Sequence, residues 1–339
     1  MTERAIIKNI KKYNDIRLAK GICLDKTPTL DRRGNVGLST QQFGHSWYML
    51  PKGRAIFKTF DDTDKFFDRL KNMRLVNELV CYELAKQMNL PCAEYEPASK
   101  GKAKGLVTYD VATPQEKIYN LYQFYDFIDY NCSSISISTF SKILDDLQQQ
   151  GYKLDKQKML KTYFKVVVFD LLTAQSDRHE NNLILLMDKK NKTIRFSPII
   201  DNEFAFSIIY LDDMLKEGPV IYPNNFLAQL KEISCMLPLK QYDYNRDIDW
   251  YNSNLKELIK VIKTNDEYAQ IFKDMCKNMD ISKAIQSVEK KGIKINKFYK
   301  KYLIFAEKTL KNNIKLKLNA NIKADNSYNF LNTKDDFSL

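Results

Sequence analysis

Apolar and polar residues alternate along the first third of the chain in the way that short strands do. Two such runs, 47–50 and 55–58, are separated by 51–54, which has the proline and glycine of a tight turn. Apolar residues then recur at helical spacing over 66–88, and a further strand is expected over 106–111. This part of the chain therefore predicts a small β-rich unit with one helix.

The pattern changes to a helical one beyond about residue 112. Apolar residues recur every three or four positions over 138–147 and 156–174, which predicts two helices. The apolar runs 183–187 and 194–200 flank a polar stretch of aspartate, lysine and asparagine, which is typical of a hairpin. The second part of the chain is thus expected to be helical with one hairpin inside it.

The change in character divides the chain into three parts. We expect a β-rich part over 1–112, a mostly helical part over 113–320 and a polar tail over 321–339. The last hundred residues contain no proline and a single glycine, which favours helices there. The pattern predicts an α+β fold with two lobes, a small β-rich N-lobe and a helical C-lobe.

Composition limits the class of protein. The 339 residues are 44% hydrophobic and 28% charged, which is close to the globular average and excludes a fibrous or disordered chain. No run of about 18 apolar residues is present, so no transmembrane segment is expected, and the N-terminus lacks the apolar core of a secretion signal. Six cysteines without a C-x-x-C pair and only two histidines predict free thiols in a reducing cytoplasm, not a zinc site.

The net charge of +12 favours an anionic partner such as a nucleotide, a nucleic acid or a membrane surface. Ten lysines lie over 290–317, where apolar residues recur at helical spacing. We interpret this stretch as an amphipathic helix with a solvated lysine face. Docking to RNA, to DNA through a partner, or to an anionic membrane is the alternative, since Tyr299 and Tyr302 lie among the lysines. The stretch contains no RNA-binding motif.

Seven consecutive polar residues, 176–182, lie between an apolar helix and a buried strand, so this loop must face water or a ligand. Asn182 enters the predicted hairpin and Asp201 leaves it, which places the two side by side at its open end, with Asp177 within reach. Such oxygen ligands suit Mg²⁺ bound to phosphates, and the remaining aspartate can orient or deprotonate a hydroxyl. Capping of a helix end and a turn is the alternative for each residue taken singly.

The order of these residues resembles a known family. The motif D-R-H-x-x-N at 177–182, followed by S-P-I-I-D at 197–201, is similar to the HipA-like kinases, including the shorter CtkA branch, which have the protein-kinase-like fold. The first motif is equally similar to phosphatidylinositol 3-/4-kinases. The ending of proline, two aliphatic residues and aspartate favours the HipA-like family, because lipid kinases usually show Asp-Phe-Gly there.

The resemblance implies a role for each residue of the loop. Asp177 is then the catalytic aspartate, and His179 supports its loop. Asn182 and Asp201 bind Mg²⁺. Asp170, in the helix before the loop, is similar to an aspartate that HipA-like and CtkA-like proteins carry there.

The first part of the chain contains candidates for ATP binding. A kinase needs a strand lysine for the α- and β-phosphates and a helix glutamate that fixes it. Lys58 suits the first role and Glu78 the second, with Glu83 on the same helix as a rival. A glycine-containing stretch upstream could cradle phosphates through its backbone amides. The further candidates for nucleotide binding are Gly34, Gly37, Ser39, Tyr109 and Val111.

The resemblance implies a serine/threonine protein kinase that uses ATP and Mg²⁺, phosphorylates itself, and acts as a toxin or effector. The expected partners are a protein substrate with a Ser or Thr acceptor and an antitoxin or a separate N-terminal subdomain. The expected location is the cytoplasm, with delivery into a host cell as the variant for an effector. A phosphatidylinositol-type lipid kinase and a nucleotide-binding pseudokinase module stay open as alternatives, and the sequence leaves direct nucleic-acid binding undecided.

Overall fold

The computed structural model has a mixed α+β fold. It describes residues 5–6, 16–18, 21–25, 29–30, 46–60, 65–121, 123, 135–216, 220–233, 236–240 and 249–324. The proposed phosphate loop, with Gly34, Gly37 and Ser39, lies outside these residues, and so does 325–339. None of the helices in the described ranges combines the length and the apolar character that crossing a membrane requires.

A six-stranded sheet is built from the first third of the chain. The strands there are β1 (Ala5–Ile6), β2 (Arg17–Leu18), β3 (Ile22–Cys23), β4 (Thr29–Leu30), β5 (Ser46–Leu50), β6 (Gly53–Thr59), β7 (Tyr95–Lys100) and β8 (Ala103–Tyr109). The last six form one sheet in the order β3-β7-β8-β6-β5-β4. The pair β5–β6 is the predicted hairpin, with Trp47 opposite Ile56. β7 is not predicted from the sequence, because it contains Pro97 and no β-branched residue.

The helix α1 (Lys65–Gln87) confirms the helix that the sequence predicts and packs beside this sheet. Every residue over 73–81 is buried. A helix that is buried on all sides holds polar side chains only where partners satisfy them. Asn77 and Glu78, both without exposed surface, lie within this buried run and are therefore committed to internal contacts.

The rest of the chain is mostly helical and adds a second, three-stranded sheet. Its elements are β9 (Lys117–Asn120), α2 (Ile137–Gln149), α3 (Lys156–Thr173), β10 (Ile184–Asp188), β11 (Thr193–Phe196), α4 (Leu211–Lys216), β12 (Val220–Ile221), α5 (Pro223–Gln229), α6 (Trp250–Thr264), α7 (Asp266–Asn278), α8 (Ile281–Lys290), β13 (Ile293–Lys294) and α9 (Lys297–Ala324). The strands β9, β10 and β11 are antiparallel, with β10 in the middle. Five helices begin at a side chain that accepts a hydrogen bond from a backbone N–H of the first turn, and these caps are Ser136, Asp155, Asp249, Asn265 and Asp280.

The predicted hairpin is present as β10 and β11, but its second strand is shorter than the sequence indicates. β11 ends at Phe196, which lies opposite Leu185. The proline that follows closely has no N–H to donate to a strand. Ile199 instead pairs with the chain after α1, donating to the Pro91 carbonyl at 2.9 Å and accepting from the Ala93 N–H at 2.9 Å. The pairing of Ile199 with the chain after α1, and not the hairpin itself, therefore sets the position of residue 201.

The lysine-rich stretch forms the helix α9 with its apolar face inward. Tyr299 and Tyr302 have no exposed surface, whereas Lys297, Lys301 and Lys308 are exposed. This agrees with the amphipathic helix that the sequence predicts. The two tyrosines belong to the core of the protein, so they are not available for stacking on nucleic-acid bases.

A buried ion pair connects the helix α3 to the loop that follows it. Asp170 and Arg178 both have no exposed side-chain surface, and Arg178 Nε lies 3.2 Å from Asp170 Oδ2. The guanidinium also donates to the Ile200 carbonyl at 2.6 Å and to Asn202 Oδ1 at 2.5 Å. Burial raises the pKa of Asp170 to about 6, and Arg178 opposes this rise. One side chain thus ties α3, the loop after it and the segment after β11 together.

We expect Asp170→Asn to lower the free energy of unfolding by about 3–5 kcal/mol, because it leaves the buried guanidinium of Arg178 without its counter-ion. The control is Asp145→Asn, which removes a half-exposed pair with Lys156 at 2.6 Å and should cost about 1 kcal/mol or less. Urea unfolding of both variants at pH 7, followed by circular dichroism, measures the difference. Equal losses in the two variants would contradict a structural role for the buried pair.

Candidate active site

The candidate site is built around Lys58 in β6. β6 pairs with β8, where a Cβ on Gly105 would lie 2.1 Å from the Lys58 carbonyl oxygen, so the close approach of the two strands requires glycine. The side chain of Lys58 is only 17% exposed. Three carboxylates surround its ammonium group, those of Glu203 at 2.6 Å, Asp201 at 2.9 Å and Glu78 at 3.6 Å. The predicted strand lysine therefore meets the predicted helix glutamate and the predicted metal aspartate.

Glu78 lies where the sequence places the partner of Lys58. Its carboxylate is fully buried, and Oε2 accepts a hydrogen bond from the Asn202 N–H at 2.9 Å. Burial raises the pKa of Glu78 to about 7, while Lys58 opposes the rise. The rival Glu83 instead pairs with Lys291 at 2.7 Å. The structure thus brings Glu78, and not Glu83, to the strand lysine.

Glu203 is a member of the site that the sequence analysis missed. Its Oε1 accepts from Arg74 of α1 at 2.5 Å, while its Oε2 faces Lys58. The carboxylate lies between two cations and is 9% exposed. The signal in the sequence is the triplet D-N-E at 201–203, in which the glutamate follows the predicted metal aspartate by two positions.

The loop 176–182 brings Asp177, His179 and Asn182 together. The Asn182 side-chain nitrogen donates to the Asp177 carbonyl oxygen at 2.8 Å, which fixes the end of the loop. His179 Nε2 lies 3.7 Å from Asp177 Oδ1. Burial raises the pKa of Asp177; His179 opposes the rise, and the negative charges of Asp201 and Glu203 add to it. The negative charges of Asp201 and Glu203 therefore act on the carboxyl group of Asp177.

Asp201 has an unusual backbone that its neighbours hold in place. Its φ of 52° lies in the left-handed region, which residues other than glycine rarely adopt. The Asp201 N–H donates to the Tyr95 hydroxyl at 3.3 Å, and its carbonyl accepts from the Gln175 side chain at 2.9 Å. Strain of this kind persists where the surroundings fix the conformation. The chain before the loop and the sheet together set the direction of this aspartate.

The site has more acidic than basic side chains. We define the carboxylate cluster as Glu78, Asp177, Asp201 and Glu203; it faces two cations, Lys58 and Arg74. With all four carboxyl groups ionised, the cluster has two negative charges in excess, which a divalent cation would balance.

The site offers carboxylate and amide oxygens, the kinds of donor that Mg²⁺ uses when it shares its ligands with phosphates. The side-chain nitrogen of Asn182 is used by the loop, so its oxygen is the atom left for a metal. Within the described residues no three His, Cys, Asp or Glu side chains are grouped so that they could hold a metal ion by themselves. Mg²⁺ bound through one carboxylate, one amide oxygen and phosphate oxygens needs no such group.

Tyr109 and Val111 lie at the end of β8, beyond the cluster. The Tyr109 hydroxyl lies 3.4 Å from Glu96 of β7, and the Val111 carbonyl accepts from Arg195 of β11 at 2.9 Å. In the described structure neither residue has a hydrogen bond or ion pair to Lys58 or to the carboxylate cluster. Through its bond to Arg195, Val111 connects the end of β8 to the second sheet.

Comparison with known proteins identifies relatives of this chain. A family model described as the HipA-like C-terminal domain matches residues 48–282. No sequence among the curated proteins matches. The proinflammatory kinase CtkA of Helicobacter pylori is similar in structure, with 12% sequence identity and a TM-score of 0.65 over 90% of this chain and 99% of that chain.

A second similar structure is HipA of Shewanella oneidensis MR-1, solved with HipB and operator DNA. It shares 14% sequence identity and has a TM-score of 0.51 over 88% of this chain and 68% of that chain. At these identities the likeness to both solved structures is one of fold. The matched range 48–282 contains Lys58 and the whole carboxylate cluster. It confirms the resemblance carried by the motifs at 177–182 and 197–201: the chain belongs to the HipA-like C-terminal domain family.

Proposed function

We propose that this chain is a HipA-type protein kinase that transfers the γ-phosphoryl group of ATP, with Mg²⁺, to a serine or threonine hydroxyl. The observation that supports it best is the contact of Lys58 with Asp201, 2.9 Å apart, although 143 residues separate them in sequence. Phosphoryl transfer depends on positioning and on neutralisation of charge, and a strand lysine and a metal-binding aspartate are the parts that it uses. Family membership and the fold of a known kinase support the same function.

In this proposal the chain has two lobes with ATP between them. The six-stranded sheet and α1, within 1–112, form the smaller lobe, and the helices within 113–320 form the larger one, followed by a tail over 321–339. The residues assigned to the nucleotide in this arrangement are Tyr109, Val111 and, outside the described residues, Gly34, Gly37 and Ser39.

Lys58 binds the α- and β-phosphates in this proposal, and Glu78 limits its movement. Asn182 and Asp201 would hold Mg²⁺, which neutralises the charge of the transferring phosphoryl group when it is bound. The number of carboxyl groups in the carboxylate cluster supports this assignment, because ionised carboxylates without a bound cation would repel the phosphates of ATP.

Asp177 acts on the acceptor in this proposal. Its carboxylate accepts a hydrogen bond from the hydroxyl. It takes the proton as the hydroxyl oxygen bonds to the γ-phosphorus and the bond from that phosphorus to ADP breaks. Its raised pKa makes it a stronger base than an ordinary aspartate. His179, whose Nε2 lies 3.7 Å from Asp177 Oδ1, supports the loop.

The biological role is proposed by analogy with the two structural relatives. HipA of Shewanella oneidensis belongs to a toxin–antitoxin system with HipB, and CtkA is described as proinflammatory. We therefore propose a cytoplasmic toxin or an effector delivered into a host cell. Its partners would be a protein substrate and an antitoxin or a separate N-terminal subdomain.

We expect the wild-type chain to transfer labelled phosphate from ATP to protein, and Asp177→Asn to lose this activity by a factor of about 10² to 10⁴ while it keeps its fold and ATP affinity. Asp145→Asn, which changes a surface carboxylate, is the matched control and should leave activity unchanged. The assay compares protein with phosphoinositide vesicles as acceptor. Transfer to the vesicles alone would replace the protein kinase with a lipid kinase, and full activity of Asp177→Asn would remove this residue from its role.

We expect Asp201→Ala to weaken Mg²⁺-dependent ATP binding about tenfold more than Asn182→Ala, because a carboxylate offers a full charge to the cation and an amide oxygen only a dipole. Calorimetry of both variants with and without Mg²⁺ measures the effect. The affinity in the absence of Mg²⁺ serves as the internal control. Small and equal effects in the two variants would show that these residues have a structural role only.

We expect the chain to phosphorylate itself on Ser39, Thr40 or Ser46, in or just after the proposed phosphate loop. A phosphoryl group adds nearly two negative charges, which would repel the phosphates of ATP and switch the enzyme off. Mass spectrometry after incubation with ATP and Mg²⁺ detects the modification, and Asp177→Asn is the control. Phosphate on residues 39–46 in the wild type only, with falling ATP affinity, is the expected result. An unmodified loop on an active enzyme contradicts the switch.

A further inference from the structure

The segment that follows Asp201 is held by a buried amide of the helix α1. The Asn77 side-chain nitrogen donates to the Glu203 carbonyl at 3.0 Å and to the Ala205 carbonyl at 2.8 Å. Asn77 has no exposed surface, so no water competes for these bonds. Both protons of the amide are used, and both bonds go to the same short stretch of backbone.

A tyrosine of the helix α9 sets the direction of this amide. The Tyr299 hydroxyl donates to Asn77 Oδ1 at 2.5 Å. An amide that flipped would turn its NH₂ group toward this hydroxyl and its oxygen toward two carbonyls that cannot donate a hydrogen bond. Tyr299 therefore keeps the donating side of Asn77 pointed at the segment after Asp201.

A second tyrosine of α9 binds the same segment directly. The Tyr302 hydroxyl donates to the Phe206 carbonyl at 2.6 Å. Phe206 and Ser207 have φ values of 60° and 51°, in the left-handed region that side chains other than glycine disfavour. Two consecutive residues in such a conformation need external restraint, and the Tyr302 bond lies at this point of the chain.

The restrained segment carries side chains of the carboxylate cluster. Glu203 lies 2.6 Å from Lys58 and 2.5 Å from Arg74, and Asp201 lies 2.9 Å from Lys58. A shift of the backbone at Glu203 would move both carboxylates relative to the strand lysine. The two hydroxyls of α9 are thus connected to the site through one buried segment.

We propose that Tyr299 and Tyr302 are positioning residues that hold the carboxylates of Asp201 and Glu203 against Lys58. The helix α9 lies outside the range 48–282 that the family model matches, so this function is added by the part of the chain beyond it. The consequence for catalysis rests on the proposed kinase function, whereas the structural restraint does not.

The test uses the full-length chain with Tyr299→Phe, Tyr302→Phe and the double variant, which remove only hydroxyl groups. The matched control is Tyr163→Phe. Tyr163 is fully buried in a different part of the core, and its single hydroxyl proton is shared between the Ile135 carbonyl at 2.6 Å and the Pro238 carbonyl at 3.0 Å. The midpoint of thermal unfolding is measured first for each variant. All later measurements are then made at the same number of degrees below that midpoint.

Amide hydrogen exchange without nucleotide measures the restraint. The Ala205 N–H donates to the Asn202 carbonyl at 3.2 Å and the Ser207 N–H to the Ala174 carbonyl at 3.4 Å, so both amides report on the segment. We expect exchange over 202–207 to be about fivefold faster in each single variant, the effect of losing one hydrogen bond, and unchanged in Tyr163→Phe. Equal exchange in all variants and the control would overturn the proposal. If one single variant does not fold, the other decides by the same criterion.

Kinetics separate positioning from general loss of structure. The segment carries Asp201, the proposed ligand of the ATP-bound Mg²⁺, so we expect KM for ATP to rise and kcat to fall, by about 10- to 100-fold in kcat/KM, with KM for the protein acceptor unchanged. A fall of kcat in proportion to the folded fraction, with both KM values unchanged, overturns the positioning role. Faster exchange over 202–207 in a protein whose wild type transfers no phosphate would support the restraint and reject the proposed kinase function.

Discussion

The buried guanidinium of Arg178 is the constraint on which the rest of the candidate site depends. A buried charge is costly unless it is paired and hydrogen-bonded. The partners of Arg178 come from the helix α3 through Asp170 and from the segment after β11 through the Ile200 carbonyl and Asn202. The Asn202 N–H in turn donates to Glu78 of α1. A single arrangement of α3, the loop, the segment after β11 and α1 satisfies all of these bonds. In that arrangement Lys58 meets Glu78, Asp201 and Glu203.

The same arrangement explains how several like charges stay close together. Lys58 lies among three carboxylates, and Arg74 binds one of them from the other side. The pKa values of Glu78 and Asp177 are raised by burial, which is complete for Glu78 and partial for Asp177, and by neighbouring negative charges. A site that holds such charges close together is suited to a cation and to phosphates, and this is the physical basis of the proposed phosphoryl transfer.

Local patterns account for the parts of the fold and the site that the sequence predicts. The β5–β6 hairpin, the helix α1 and the order of Asp177, Asn182 and Asp201 follow from residues close together in sequence. Glu203 could not be assigned in this way, because its partner Arg74 lies 129 residues earlier and no local pattern records the pair. Tyr299 was missed for a similar reason. Its lysine neighbours are typical of a surface. Packing of α9 nevertheless buries Tyr299 in the core, against a partner in α1 that is 222 residues away in sequence.

The pairing of the chain after β11 also could not be predicted from local sequence patterns. The hairpin was expected to carry the chain to residue 201, but the strand ends at Phe196 and Ile199 pairs with Pro91 and Ala93 instead. These hydrogen bonds join residues that are far apart in sequence. They form because the backbone N–H and C=O groups of a buried segment all need partners.

The most direct test of the account is a crystal structure of the chain with Mg²⁺ and a non-hydrolysable ATP analogue. We expect one Mg²⁺ bound by the Asp201 carboxylate, the Asn182 side-chain oxygen and phosphate oxygens, with the Lys58 ammonium on the α- and β-phosphates. A nucleotide bound away from Lys58, or a metal held by neither Asn182 nor Asp201, would contradict it.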